Sequence, residues 1–501
     1  MRNGHLRQLH PRSTGTPRLC GGTSTQSRGS GGCVRVWRLP ARRHRRTGSV
    51  DQPGGVHPMT LILRNARLLL EDGTPNHGAH SEVDIGVRDD RIETIGAAGS
   101  TRLAADREID LNGLLVFPGG IDPHVHVRDL GQAFKEDWAS AGAAALRGGF
   151  TTIFDMPNTI PPTETQSALN EKRGAVRAAH TTVNGAANGH VDARFWLGAT
   201  DHNLADLEAM LQRRPADVVG IKLFLAGTSS NEVVHDPETV RAVMQCAARH
   251  DVAVAVHEEL QACLDAAETA SLPDHASAHG RHRPRECSVE GTRLVCRLAA
   301  ETGCTLYLVH VSTEEEIAII RDAKAHARIV AEVTPHHLFL DDEILHRVGN
   351  FGKVNPPLRE PRDVRALQQA VRDGVIDTVG SDHAPHTLEE KARPYHAAPS
   401  GFPGLETTFA LLLDAVHRGV FPLDLLPQLT SSRAAEVFGL SDRGTIAEGR
   451  RADLVVVDPA HQWTVDPSRF CTKARYSPFA GMQLTGAVRA TIAAGVFIDY
   501  R

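Results

Sequence analysis

His124 and His126 stand one residue apart in GIDPHVHVRD, residues 120–129, just after an apolar run, and Arg128 follows two residues beyond. In an extended strand alternate side chains share a face, so the two imidazoles point the same way and can grip one metal ion. A chain with 27 histidines also holds such pairs by chance on ordinary strand edges. The rest of the sequence must decide.

Such a pair needs a scaffold that brings further ligands to it. Short apolar runs alternate with helical stretches between residues 117 and 439: VFPGGIDPHVHV, TTIFDMP, ARFWLGAT, VVGIKLFLA, VAVAVHE, TLYLVHV, RIVAEVTPH and DTVGSDHAP. Eight repeated βα units predict an α/β fold, a (β/α)8 TIM-like barrel, with its reactive residues at the C-terminal ends of the strands. At that end stand His124 and His126 of the first run, Lys222 of the fourth, His257 of the fifth, His310 of the sixth and Asp382 of the eighth. A lysine inside IKLFL is costly to bury unless it is paired or modified. A salt bridge is the ordinary reading of such a residue, and four histidines and an aspartate at the same rim argue against it.

Two divalent ions can share this set, with His124, His126 and Asp382 on one, His257 and His310 on the other, and Lys222 reaching both. A protonated lysine has no lone pair. Reaction with carbon dioxide would turn it into a carbamate, with two oxygens and no positive charge. Imidazole mixed with oxygen donors suits zinc, and manganese, cobalt or iron would fit the same ligands. Ions of this kind lower the pKa of water from about 15.7 to about 7, so hydrolysis of an amide is the chemistry to expect. Asp382 would take the proton of the nucleophile and pass it to the leaving nitrogen.

The flanks read differently. TLILRNARLLL, EVDIGVRDDRIETIG and REIDLNGLLVFPGG are β-rich and separated by turns, and GTIAEGRRADLVVVD, QWTVD and GAVRATIAAGVFI close the chain in the same manner. The two ends, 59–116 and 440–501, are expected to build one small β-sandwich beside a barrel over 117–439. Residues 1–58 hold eleven arginines, no lysine and one acid, Asp51, a net +10; with a whole-chain charge of −5, the remainder carries −15. An acidic body leaves nucleic-acid binding to the head alone, and no nucleic-acid partner is expected. The RRHRR run and its Gly/Ser/Thr-rich surroundings have no apolar period, which predicts a disordered extension. An organelle transit segment is a second reading of this head. Translation beginning at Met59 is a third, favoured by the abrupt change of composition. No uninterrupted apolar stretch reaches the roughly 18 to 20 residues that cross a bilayer, so no membrane span is expected. Cys20, Cys33, Cys246, Cys263, Cys287, Cys296, Cys304 and Cys471 are scattered without a C-x-x-C. That argues against a zinc knuckle or a small disulfide scaffold and for a reducing, cytoplasmic compartment.

GIDPHVHVRD, FDMPNTIPPT, GIKLF, VTPHHLFL, KVNPPLR, SDHAPHTLEEK and GFPGLET resemble the amidohydrolase superfamily and, within it, the dihydroorotases, over residues 59–501. H-x-H is superfamily-wide; SDHAPHTLEEK together with GFPGLET is far more specific. The resemblance implies reversible interconversion of L-dihydroorotate with N-carbamoyl-L-aspartate, in pyrimidine biosynthesis, at two zinc ions per subunit bridged by carboxylated Lys222. Its ligand pattern agrees with the assignments above at all six positions. A small-molecule substrate and a homo-oligomer are expected with it.

Dihydroorotate bears a ring carboxylate, for which the bidentate fork of Arg128 is the expected anchor. Asn158, Asn355 and His386 occupy positions that resemble the family's other carboxylate and ring contacts, and backbone groups near Gly401 and Phe402 would meet the ring amide. Asn355, beside two prolines, also reads as a turn residue. AGTSSNE, residues 226–232, has the small polar composition of a mobile loop over a substrate. Asp129-Leu130 departs from the Glu-Pro of many relatives, which puts the local loop shape in question. His336 and His337 read as supporting groups, and His275, His279 and His282, in a polar proline-containing stretch, as surface residues. Allantoinase and hydantoinase- or dihydropyrimidinase-type cyclic amidases share the reaction but not the ring carboxylate, so Arg128 with Asn158 favours dihydroorotase. A non-catalytic barrel that scaffolds another pyrimidine enzyme is the rival from another class; such relatives lose metal ligands, and here none is missing.

Overall fold

The computed structural model describes residues 60–69, 82–182, 190–227, 233–267 and 272–500. The Arg-rich head, Met59 and residues 228–232 of the polar segment after Lys222 lie outside them. The first strands are β1 (Thr60–Arg67), β2 (Glu82–Arg88), β3 (Arg91–Ala97), β4 (Arg107–Asp110) and β5 (Leu115–Pro118). Asp89, at φ 54, makes the tight turn from β2 to β3.

The eight apolar runs are eight strands: β6 (Gly120–Val125), β7 (Phe150–Asp155), β8 (Asp192–Gly198), β9 (Val218–Phe224), β10 (Ala253–His257), β11 (Thr305–Leu308), β12 (Ile329–Val333) and β13 (Thr378–Val379). Each pairs in parallel with the next. Val125 bridges His383 in parallel, and the His126 N–H donates to the His383 carbonyl at 2.8 Å, which brings the last strand back to the first. This is the (β/α)8 barrel. Strand alternation divides its apolar residues: Phe154, Trp196, Ala255 and Tyr307 fill the interior with Phe438, while Ile153, Leu197, Val256 and Leu306 face the surrounding helices.

Local signals hold the strand ends in place. Just past β11, the Thr313 and Glu316 side chains form a capping box that starts the helix Glu314–Ala323. The chain therefore passes His310 two residues after the end of β11 and enters the helix four residues later, which holds that imidazole at the rim. Asp137 caps the helix Trp138–Arg147 in the same way, beyond the His124–Arg128 segment.

The closing strands are β14 (Leu454–Thr464), β15 (Gln483–Ala493) and β16 (Val496–Asp499). They join the opening strands in one sheet, in the order β16-β15-β14-β5-β1-β2-β3 with β4 on β1. The two ends of the chain meet where β5 and β14 pair antiparallel. β14 is apolar on both faces for a reason: Leu454 and Val456 enter the core of this sheet, while Val455 and Val457 face the barrel's core.

Cys263 and Cys287 form a disulfide, a pairing that their spacing in the sequence gave no reason to expect. Among the described residues Cys246, Cys296 and Cys304 are free thiols, and they and Cys471 are buried. Among the described residues no helix is long and apolar enough to cross a membrane.

Candidate active site

The strand ends bring His124, His126, Lys222, His257, His310 and Asp382 around one cavity, with Arg128, Asn158, Asn355 and Gly401 in its wall. The Nε2 atoms of His124 and His126 each lie 3.2 Å from Oδ1 of Asp382. Their other nitrogens are held from behind: His124 Nδ1 lies 2.8 Å from Oε1 of Glu332, and His126 Nδ1 lies 2.7 Å from Oδ1 of Asn158. Those oxygens accept, so each Nδ1 carries the proton and each Nε2 turns a lone pair toward Asp382. Asn158, expected at the substrate, therefore also orients His126.

On the other side His257 Nδ1 and His310 Nε2 approach to 2.9 Å. Glu259 takes the proton of His257 Nε2 at 2.9 Å and is itself clamped by Arg283 at 2.6 Å. The His124 and His310 rings are 5.4 Å apart, so the two imidazole pairs face a common space. Lys222 ends in that space. Its amine is buried, has no hydrogen-bond partner among the described residues and lies 4.8 Å from the centre of the Phe224 ring. A lone buried amine amid lone-pair donors suits a group that is chemically completed there.

Burial dominates the electrostatics. It holds His124 down at about 3 and His126 and His310 well below the ordinary histidine range, so these rings are neutral, the form that binds metals. Burial also brings Lys222 down to about 8 and lifts Glu332 to about 8. Arg128, His310 and Asp382 sit in left-handed backbone at φ 69, 42 and 45. Each such residue costs on the order of 1 kcal/mol, a strain characteristic of functional sites.

A second group adjoins the first. Arg128 and His386 are buried, with Nη2 of the one 3.5 Å from Nε2 of the other. Lys135 reaches His386 Nδ1 at 3.3 Å and Glu390 at 3.0 Å. Burial, aided by the cations of Arg128 and Lys135 against the pull of Glu390, holds His386 at about 3.

Asn355 turns Oδ1 to His279 Nε2 at 2.9 Å and to the Ser400 hydroxyl at 3.0 Å. His279 corrects the sequence reading: it is 2 % exposed, not on the surface, and its Nδ1 also bonds the Tyr395 hydroxyl at 2.8 Å. The polar stretch around it folds back against the KVNPP loop and so buries it. Gly401, at φ 118, lines the cavity in a conformation that suits only glycine; a Cβ there would lie 2.7 Å from the Ala384 carbonyl. Phe402 stands behind it, its carbonyl accepting from the Ala384 N–H and its ring 4.9 Å from that of His336. His337 bonds Thr334 and the Pro356 carbonyl, a supporting role as expected. Leu130 adopts φ 74, which is closed to proline, so this loop takes a path that a Glu-Pro pair could not follow.

Residues 115–498, a span that holds every rim residue above, match the amidohydrolase family. The chain belongs to that family. This amidohydrolase is 39% identical over 398 residues to a dihydroorotase from Halobacterium salinarum, covering 79% of this chain and 89% of the relative. It is 32% identical to a dihydroorotase from Trichlorobacter lovleyi, over 88% of this chain and 99% of that one. Among solved structures it is similar to an L-hydantoinase (dihydropyrimidinase) from Arthrobacter aurescens, with a TM-score of 0.79 at 29% identity over 87% of this chain and 95% of the other. It is likewise similar to a dihydropyrimidinase from Brevibacillus agri, with a TM-score of 0.77 at 28% identity over 88% and 95%.

Proposed function

We propose that this amidohydrolase is a metal-dependent dihydroorotase, interconverting L-dihydroorotate and N-carbamoyl-L-aspartate. The observation that carries the choice of substrate is the buried guanidinium of Arg128 in the wall of the same cavity as the imidazole cluster. A ring carboxylate matches the planar fork of that guanidinium in shape and charge, and a neutral ring matches neither.

In this reading His124, His126 and Asp382 would hold one zinc ion, His257 and His310 a second, and Lys222, carboxylated, would supply oxygen ligands to both. Bound ions of this kind supply an activated water at neutral pH and polarise the amide carbonyl. The chain's own residues do the rest. The Lys222 amine, brought down by burial to about 8, has a far larger neutral fraction near physiological pH than an ordinary lysine, and the neutral amine is the form that adds to carbon dioxide. Asp382, 3.2 Å from both imidazoles, takes the proton of the nucleophile and returns it to the leaving ring nitrogen. Arg128, Asn158 and His386 hold the ring carboxylate, and Asn355 and the backbone at Gly401 and Phe402 meet the ring amide.

The domain boundaries are taken at 59–116 with 440–501 for the sheet and 117–439 for the barrel, and the subunits are taken to form a homo-oligomer. The cytoplasmic assignment rests on the free thiols; the Cys263–Cys287 pair is the observation against it, and thiol titration of freshly lysed protein decides. A hydantoinase- or dihydropyrimidinase-type amidase is the second reading, favoured by the solved structures above. Turnover of dihydroorotate, allantoin and dihydrouracil, assayed side by side with zinc and bicarbonate present, separates the two. Dihydroorotate should be fastest, and faster turnover of either neutral ring would overturn the proposal.

A further inference from the structure

The corner assigned to the ring carboxylate contains a cation that this reading leaves unused. Lys135 is 8 % exposed, with its ammonium 3.3 Å from His386 Nδ1 and 3.0 Å from Glu390. An ammonium has donors only, so Nδ1 of His386 must accept. A second proton on the ring would face the ammonium directly. The single ring proton therefore sits on Nε2, where it donates to the Ser400 carbonyl at 3.0 Å in the cavity wall. Arg128 Nη2, 3.5 Å from that same Nε2, is also a donor. The two groups cannot bond each other; the guanidinium and the Nε2–H lie side by side, so a carboxylate reaching this corner would meet the guanidinium and share the Nε2–H with the Ser400 carbonyl.

Glu390 is the reason this polarity depends on Lys135. Its Oε2 lies 3.7 Å from His386 Nδ1 and is fixed by the N–H of Thr387 at 3.0 Å. Without the ammonium between them, that carboxylate would draw a proton onto Nδ1. Nε2 would then turn a lone pair toward the Ser400 carbonyl and toward an incoming carboxylate, and both contacts would become repulsive.

We propose that Lys135 is a positioning residue that locks His386 in its Nε2–H form and thereby gives the site its preference for an anionic ring. The inference rests on the reading of the substrate as a ring carboxylate. It is tested on zinc-loaded enzyme labelled with 15N-histidine, with the His386 signals assigned by their loss in His386→Gln. Wild type should show His386 protonated at Nε2, and Lys135→Met should move the proton to Nδ1. The same variant should raise KM for dihydroorotate roughly tenfold or more with kcat changed far less, since a charge-assisted contact to substrate is inverted. Lys135→Arg, again a pure donor, should keep the wild-type tautomer and most of the affinity. A folded Lys135→Met that retains the Nε2–H form, or that binds dihydroorotate as wild type does, overturns the inference. Preference of the wild type for a neutral ring would instead overturn the substrate reading, and the tautomer measurement would still decide what Lys135 does to His386.

Discussion

Oε1 of Glu332 accepts the Nδ1–H of His124 at 2.8 Å. The same oxygen accepts the backbone N–H of His310 at 3.1 Å, and Oε2 accepts the Tyr307 hydroxyl at 2.9 Å. One buried carboxylate thus ties an imidazole from the first barrel strand to the backbone of an imidazole from the sixth. Gly380 makes room for it, since a Cβ there would lie 2.4 Å from the Glu332 carboxylate. Glu332→Gln keeps the shape but replaces one accepting oxygen by an amide donor, and it should weaken metal binding about 10- to 100-fold. Chelator competition on protein shown to be folded measures this, and wild-type affinity in the variant would reduce Glu332 to a packing role.

Arg128→Lys replaces a planar fork by a point charge in the same wall. Loss of the bidentate pair should lower kcat/KM for dihydroorotate by about 2 to 4 kcal/mol in transition-state binding, while metal content stays at the wild-type level. Unchanged kcat/KM would pass the carboxylate to Asn158, His386 or Lys135.

Metal-stripped protein should regain activity at a rate that follows the neutral fraction of Lys222. That amine is protonated below about 8 and neutral above it. At fixed carbon dioxide pressure and excess zinc, recovery should be roughly fiftyfold faster at pH 8 than at pH 6 and level off above it. A rate that does not change with pH would show that carboxylation of this amine does not limit assembly of the site.

How much of this was legible depends on the range of each signal. His124 and His126 lie on one strand and Lys222 interrupts an apolar run, so strand alternation and the cost of a buried charge expose them without any knowledge of distant partners. Glu332, in RIVAEV, carries the same signal as Lys222, a charged residue inside an apolar run, but nothing local to it points to His124 as its partner. The chain from Lys135 through Glu390 to His386 joins residues some 250 positions apart in sequence, and no local pattern announces it. His279 differs from its sequence reading for the opposite reason: a polar, proline-containing stretch resembles an exposed loop until tertiary contacts bury it. The sheet shared by both chain ends was visible as two β-rich flanks, but the β5–β14 pairing that joins them is again a long-range fact.

The central claim is that Lys222 serves as an anion between two ions, and Lys222→Ala tests it most directly. The variant should lose bound metal and fall by several orders of magnitude in rate, because the bridging ligand is gone. Acetate or propionate, supplied with excess zinc, should occupy the vacated space, offer two oxygens and restore part of the activity, whereas a short alkylamine should not. Rescue by the amine and failure of the carboxylate would mean that Lys222 acts as a protonated group, and would contradict the two-ion account.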